Sequence, residues 1–385
     1  MRTKIKILFI SLFFSGLINA QVTQISNLIY LHPWELVSTG NMLYFNAHDG
    51  IGDRLYNYDG INVTHIEIPG NIDPNPTELT PYGNDLYFDV DSRLWKYSYT
   101  TNTATLITFS ANNTLGWWSG GLSTTKDLYV LGNNLFFSGK DDNGDVQLWK
   151  YDGVNSTIIP LGPGTTNIDP YNMTALGSTL FLNAHNTQLW KYDGGVAEQV
   201  SGVSDAKELT EHGNELFFNA SEKLKKYDGN TVLEIPIGTS NSPDPKEMLS
   251  IGNDLFFNAK DDVGYKRLWK YDGNVVSQLT VGSFLSPDPR YLTAVGGDLY
   301  FKADDGNSNS QLWRYDGNVV TQIFLGSNFS SPSPQDLISK GNELWFVARN
   351  SNYETYIFKC NGLVCSQMTA APPSNASPSH LLVMN

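Results

Sequence analysis

Apolar residues along this chain come in short bursts, without the i, i+3, i+4 spacing that marks an amphipathic helix. A Gly, usually followed by Asn, precedes a Leu-aromatic-Phe run at Gly40, Gly83, Gly132, Gly177, Gly213, Gly252, Gly296 and Gly341. The intervals are 43, 49, 45, 36, 39, 44 and 45 residues, so the chain reads as eight repeats of about 44 residues. A second signature follows each run. It is Leu-Trp-Lys-Tyr-Asp-Gly at 148–153, 189–194 and 268–273, with Leu312-Trp313-Arg314-Tyr315-Asp316-Gly317 beside it. Weaker copies stand at 55–60, 94–98, 224–229 and 357–362.

Each unit predicts four short strands. The first carries a Leu or Met four residues before the Gly: Leu36, Leu79, Leu128, Met173, Leu209, Met248, Leu292 and Leu337. The Gly-Asn or Gly-Gly step predicts a tight turn into the Leu-aromatic-Phe strand, because these residues tolerate positive φ. The Trp signature forms a third strand, and Asp-Gly turns the chain into a fourth, for example Val275 to Leu279. Four strands per unit at this period predict an all-β fold, an eight-bladed β-propeller with four antiparallel strands per blade. Blades stack face on face, which explains why the second strand is continuously apolar instead of alternating. An open solenoid of the same units is the competing architecture. For ring closure, residues 377–385 resemble another first strand, while Val22-Thr23-Gln24-Ile25 resembles the fourth strand Val320-Thr321-Gln322-Ile323.

The first 20 residues break the pattern. Arg2, Lys4 and Lys6 precede the apolar run from Ile7 to Phe14, then Ser15-Gly16 and Ala20, which is the order of a secretory signal peptide. The expected organisation is a signal peptide at 1–20 and a single propeller domain at 21–385; a buried first strand is the alternative reading of the apolar run. No stretch reaches the ~20 apolar residues of a membrane-spanning helix. Without the leader, 22 basic side chains face 39 acidic ones, a balance that repels nucleic acid and anionic membranes. The expected state is an exported monomer.

The Leu-Trp-x-x-Asp-Gly signature, with Ala303-Asp304-Asp305-Gly306 and, more loosely, Asp141-Asp142-Asn143-Gly144 ahead of it, resembles the ELWxxDGT-repeat proteins exported by Bacteroidetes. The resemblance covers essentially the whole chain beyond the leader and implies a propeller-like exported protein with no defined catalytic residues. This chain departs from the pattern: no Glu precedes the Leu, no Thr follows the Gly, and Lys225 stands where the fifth Trp is expected. Family members often carry a terminal sorting domain for surface delivery; none is read here.

In a propeller, the turns joining strands one to two and three to four lie at one end of the ring. The other connections gather at the opposite end. Here the first set is short and uniform, while the second varies in length, so ligand binding is expected at the variable end. Those loops are acidic, with Asp49, Asp53, Asp141, Asp142, Asp145, Asp261, Asp262, Asp304 and Asp305. The stretch Asp141-Asp142-Asn143-Gly144-Asp145 is the best local candidate for Ca²⁺, a cation that takes 6 to 8 oxygen ligands. It lacks the spacing and closing Glu of an EF-hand, and Asp, Asn and Gly are also what turns demand. The longest connection, between Phe109 and Thr125, carries Trp117 and Trp118 among Gly, Ser and Asn. These two are candidates for a sugar-stacking or partner-binding platform; packing onto the ring is the alternative. Trp95, Trp149, Trp190, Trp269 and Trp313 occupy one repeat position and read as core between blades.

Catalytic patterns are absent: no nucleophile elbow, phosphate loop or zinc-protease helix occurs. Of six histidines, only His48 and His185 share a repeat position. Cys360 and Cys365 flank the last Asn-Gly turn, and export would permit a disulfide. A two-residue turn at Asn361-Gly362 would place them diagonally, with Cys360 opposite Leu363. The function expected is a non-catalytic exported propeller binding an extracellular glycan or protein. A glycan-active lyase or hydrolase and a structural surface or matrix component are the alternatives.

Overall fold

The computed structural model describes residues 33–39, 42–48, 50–59, 61–70, 74–115, 128–162, 168–185 and 187–368. These form eight four-stranded antiparallel sheets in chain order, at 33–65, 77–106, 128–159, 171–204, 207–235, 246–279, 290–323 and 335–367. The chain is an eight-bladed β-propeller. First strands of successive blades lie side by side from blade 1 through blade 8. Every described sheet comes from one continuous stretch of chain. The closing candidates at 22–25 and 377–385, the leader and the Trp117-Trp118 pair lie outside the described residues.

The second strand shows why the apolar runs are continuous. In Asp254–Lys260, Leu255, Phe257 and Ala259 pack with Phe217, Leu224 and Ile237 of the preceding blade and its connection. Phe256 points the other way, to Leu299 and Phe301 of the following blade. Both faces are therefore interior, and each fully buried Leu or Phe contributes roughly 1.5–3 kcal/mol. The third strand alternates in the same sense. Trp269 and Tyr271 face the preceding blade and Leu268 the following one. The Trp149 and Trp269 indoles each donate Nε1–H to a carbonyl of their own second strand at 3.0 Å, Gly139 and Ala259 respectively. At the seam, Leu43, Phe45, Tyr56 and Tyr58 of blade 1 are buried, as are Val347 and Ile357 on the outward side of blade 8.

Turns differ in detail from the sequence expectation. The first turn of blade 6 is the two-residue loop Gly252-Asn253, with the positive φ of 59° on the Gly. The second turn is longer than an Asp-Gly step: Tyr271 pairs with Val276, leaving Asp272 to Val275 as a four-residue loop. The Asp272 carboxylate holds it by accepting the amides of Asn274 and Val275. The fourth strand thus begins at Val276, not Val275.

Blade 8 departs from this in a way that decides its cysteines. There Asn361 pairs with Val364, so the turn is Gly362-Leu363, one residue later than the Asn-Gly reading. A Gly with φ 59° at the first central position is the II′ hairpin arrangement. Cys360 and Cys365 are then directly opposed, not diagonal, and they are joined in a disulfide.

Candidate functional site

Among the described residues, seven first strands contain a bulge near their start, on the side of the variable connections. Each bulge places a non-glycine residue in the left-handed region: Glu35, Glu78, Asn172, Glu208, Glu247, Tyr291 and Asp336, with φ from 49° to 60°. Such a conformation costs roughly 1–2 kcal/mol per residue, and its recurrence on the innermost strand calls for a compensating interaction. One is visible along the ring. Glu247 donates its amide to the Glu208 carboxylate at 3.0 Å, and Tyr291 donates its amide to the Glu247 carboxylate at 2.9 Å. In blades 5 and 6 the bulge side chain thus holds the next blade's bulge backbone. Burial raises the Glu208 carboxyl above its ordinary value, partly offset by the Glu247 amide and reinforced by the Glu247 charge.

Outside this inner ring runs a second repeated device. The Asn of the Leu-Phe-Phe-Asn-Ala strand reaches the start of the following blade: Asn219 donates to the carbonyl of Pro245 at 3.1 Å and Asn258 to that of Pro289 at 2.9 Å. Asn46 and Asn183 do the same to Pro76 and Ala206. Asp89 stands at this position in blade 2. Burial pushes its carboxyl up to about 6 against the amides of Arg93 and Ser92.

Where the two devices meet, across blades 5 to 7, a cleft of about 350 Å³ opens. It is lined by Glu208 and Glu247 on the axial side and by Asp244, Lys260, Asp288 and Arg290 outward. Asp244 pairs with Lys246 at 3.1 Å and Lys260 at 3.6 Å, Asp288 with Arg290 at 2.8 Å and Lys266 at 3.2 Å. Burial alone would raise both carboxyls. The hydrogen bonds and positive charges of these cations, with Asn219 and Asn258, outweigh it and hold both below the usual carboxylate range. The cleft therefore presents ionised groups of both signs in alternation around a polar floor. Tyr291, next to Arg290 in the chain, is 44% exposed.

The expected metal ligands Asp141, Asp142, Asn143 and Asp145 fall elsewhere on this end of the ring. Asp141 turns its carboxylate into its own loop, accepting the amides of Asn143 and Asp145 at 2.9 and 3.0 Å. Asp261 and Asp305 cap the matching loops of blades 6 and 7 in the same way. In blade 8 the uncharged Asn350 makes the equivalent bonds to Asn352 and Glu354. The recurring acid is thus a turn cap, a role that needs an oxygen and no charge. Asp142 is drawn off to Ala111. Among the described residues no group of three or more His, Cys, Asp or Glu side chains could hold a metal ion. His48 accepts the Gly50 amide, and His185 bonds the Leu161 carbonyl and packs on Trp190. The inner ring has a signal in the sequence that hydrophobic patterning does not pick out. The residue ahead of the first-strand Leu or Met is acidic at Glu35, Glu78, Asp127, Glu208, Glu247 and Asp336.

No family model and no curated protein matches the sequence. Among solved structures, the chain is similar to the β-propeller domain of the Trilobed protease from Pyrococcus furiosus. Identity is 10% and the TM-score 0.44, over 89% of this chain and 99% of that one. It is similar to the computationally designed Ika8 protein at 14% identity and a TM-score of 0.49, over 84% and 94%. It also resembles a puromycin-hydrolyzing peptidase of Mycobacterium tuberculosis, at 10% identity and a TM-score of 0.49. That match spans 95% of this chain and 56% of the peptidase. At these values the likenesses carry no argument about activity.

Proposed function

We propose that this chain is an exported, non-catalytic propeller that binds an extracellular glycan through the end of the ring bearing its variable connections. The observation that carries the reading is the mixed-charge cleft at Glu208, Asp244, Glu247, Asp288 and Arg290. Its volume suits one or two sugar rings, and its fixed donors and acceptors suit hydroxyl groups better than an apolar ligand. The strained inner ring supports the same reading, because costly backbone conformations gather where a site must be held rigid. Export is supported by the leader at 1–20, by the Cys360–Cys365 bridge and by the resemblance to the ELWxxDGT-repeat proteins. A glycan array probed with the wild type and with Lys266→Ala/Arg290→Ala tests the binding. Recovery of mature protein starting at Gln21 outside the cytoplasm tests the export.

A second reading follows from one pair. Glu208, with its carboxyl raised, stands next to Glu247, the pattern of an acid and an ionised partner in glycoside cleavage. Against it, both carboxylates are committed to neighbouring backbone amides. Release of reducing ends or unsaturated sugars from a bound glycan, lost in Glu208→Gln, would replace the first reading by this one.

A further inference from the structure

On the opposite end of the ring, the repeat fills one position with an ion pair between the first residue of the second strand and the cation of the third. The pairs are Asp85–Lys96 at 2.6 Å, Glu215–Lys226 at 2.9 Å, Asp254–Lys270 at 3.1 Å, Asp298–Arg314 at 2.7 Å and Glu343–Lys359 at 2.9 Å. Blade 4 has Thr179 in the acidic position, and its Lys191 turns to Glu198 instead. Blade 1 has Met42 and Asn57, with no cation to satisfy. Blade 3, like blade 4, keeps the cation and loses the acid, with Asn134 in the acidic position; unlike Lys191, Lys150 has no carboxylate of the described residues within ion-pair distance, and only the charge of Asp152 acts on it from further off.

A cleft of about 400 Å³ opens at this same place, between blades 3 and 4. Lys150, Asn134, Ser178 and Tyr192 line it, with backbone at Gly132, Gly177 and Gly194. The turn of blade 4 that borders it is Gly177-Ser178 where most units have Gly-Asn, and over Gly132 nothing lies within 4 Å of where a Cβ would stand. The carboxylates closest in place are Asp193, which lines the cleft and is held by the Gly195 amide, and Asp152, held by the amides of Val154 and Asn155.

We propose that the cleft between blades 3 and 4 is an anion site in which Lys150 takes the carboxylate of a small hydroxylated acid, of the size and chemistry of a uronic acid. The ligand's carboxylate replaces the acid that Asn134 removes. The Asn134 amide, the Ser178 hydroxyl and the exposed backbone of the three glycines serve its hydroxyl groups. This site is independent of the cleft at the other end of the ring.

The test is calorimetric titration with D-glucuronate, and with D-glucose as the uncharged control. The variants are Lys150→Gln and Asn134→Asp. Asn134→Asp restores the carboxylate that five other blades carry, as Asp in three and Glu in two, so it is compatible with the fold and rebuilds the internal pair in competition with the ligand. The expected result is binding of glucuronate by the wild type, with affinity lower by roughly tenfold or more for glucose and in both variants, as charge-assisted bonds are the strong ones. Absence of glucuronate binding, equal binding of glucose, or undiminished binding in either variant overturns the proposal.

Discussion

The carboxylate of Asp142 accepts the backbone amide of Ala111 at 2.6 Å across 31 residues of chain. It thereby fastens the root of the longest connection to the variable loop of blade 3. Two more bonds follow the same line: Ser110 donates its hydroxyl to the Lys140 carbonyl, and Asn112 reaches the Asp141 carbonyl. Two features that look separate in the sequence, the acidic loop at Asp141–Asp145 and the insertion ahead of Trp117 and Trp118, are one structure at this root.

Asp142→Ala should therefore loosen the connection without unfolding the ring. Hydrogen exchange at the Ala111 amide is expected to accelerate by roughly tenfold or more, the loss of a charge-assisted bond worth about 1.5–3 kcal/mol. Exchange in blades 5 to 7 should not change.

Asp141→Asn tests whether the loop acid acts through its oxygen or its charge. Asn350 caps the equivalent loop of blade 8 with the same two amide bonds. The expected cost is below about 1 kcal/mol by thermal melting, and EGTA should leave both midpoints unchanged. A larger loss, or a shift with chelator, would point to a bound cation instead.

Asp89 supplies a pH prediction with a definite sign. Its folded carboxyl sits at about 6, above the unfolded value near 3.8, because burial disfavours the charged form. The native state then binds more protons than the unfolded one between those values, so this group's contribution falls as pH rises from about 4 to 6 and stays low above. Asn occupies the same repeat position in four other blades, at Asn46, Asn183, Asn219 and Asn258. Asp89→Asn should stabilise the protein by on the order of 1–2 kcal/mol at pH 7.5, with the gain vanishing near pH 4. Melting curves of the two proteins across this range check it.

Gly139→Ala probes the packing of the same region. A Cβ there would lie 2.7 Å from Phe109 Cε2 and 3.0 Å from Trp149 Cδ1, both in the core between blades 2 and 3. Overpacking of this kind costs about 1–3 kcal/mol. An unchanged melting midpoint would show that Phe109 can leave its place.

Reduction of Cys360–Cys365 should add two hydrogens to the mass and lower stability by about 2 kcal/mol, the loop-entropy expectation for so short a closed loop. A native-like spectrum with a lower midpoint is expected, since seven blades lie outside the hairpin.

Much of the fold was legible because a propeller writes the same packing problem eight times. Leu255-Phe256-Phe257 must be apolar throughout, since both its faces are interior, and Trp269 must recur because it fills one slot between blades. Turn registers were less legible. Asn361-Gly362-Leu363 permits two hairpins that differ by one residue, and only the strand pairing chooses between them. The axial bulges were hidden for another reason. A single left-handed residue such as Glu247 leaves no mark in hydrophobic periodicity, and its partner, Tyr291, is 44 residues away. The acidic loops left two readings open because Asp serves equally as a cation ligand and as a turn cap. Choosing needs the positions of amides such as those of Asn143 and Asp145.

The central claim is that ligand recognition belongs to the end of the ring that bears the cleft of blades 5 to 7. The most direct measurement is a glycan array read with three proteins: the wild type, Lys266→Ala/Arg290→Ala at that cleft, and Lys270→Ala in the Asp254 ion pair at the other end. Binding by the wild type that persists in Lys270→Ala and disappears in the double variant is the predicted result. A signal that the double variant keeps, or no signal from the wild type on any glycan, would contradict it.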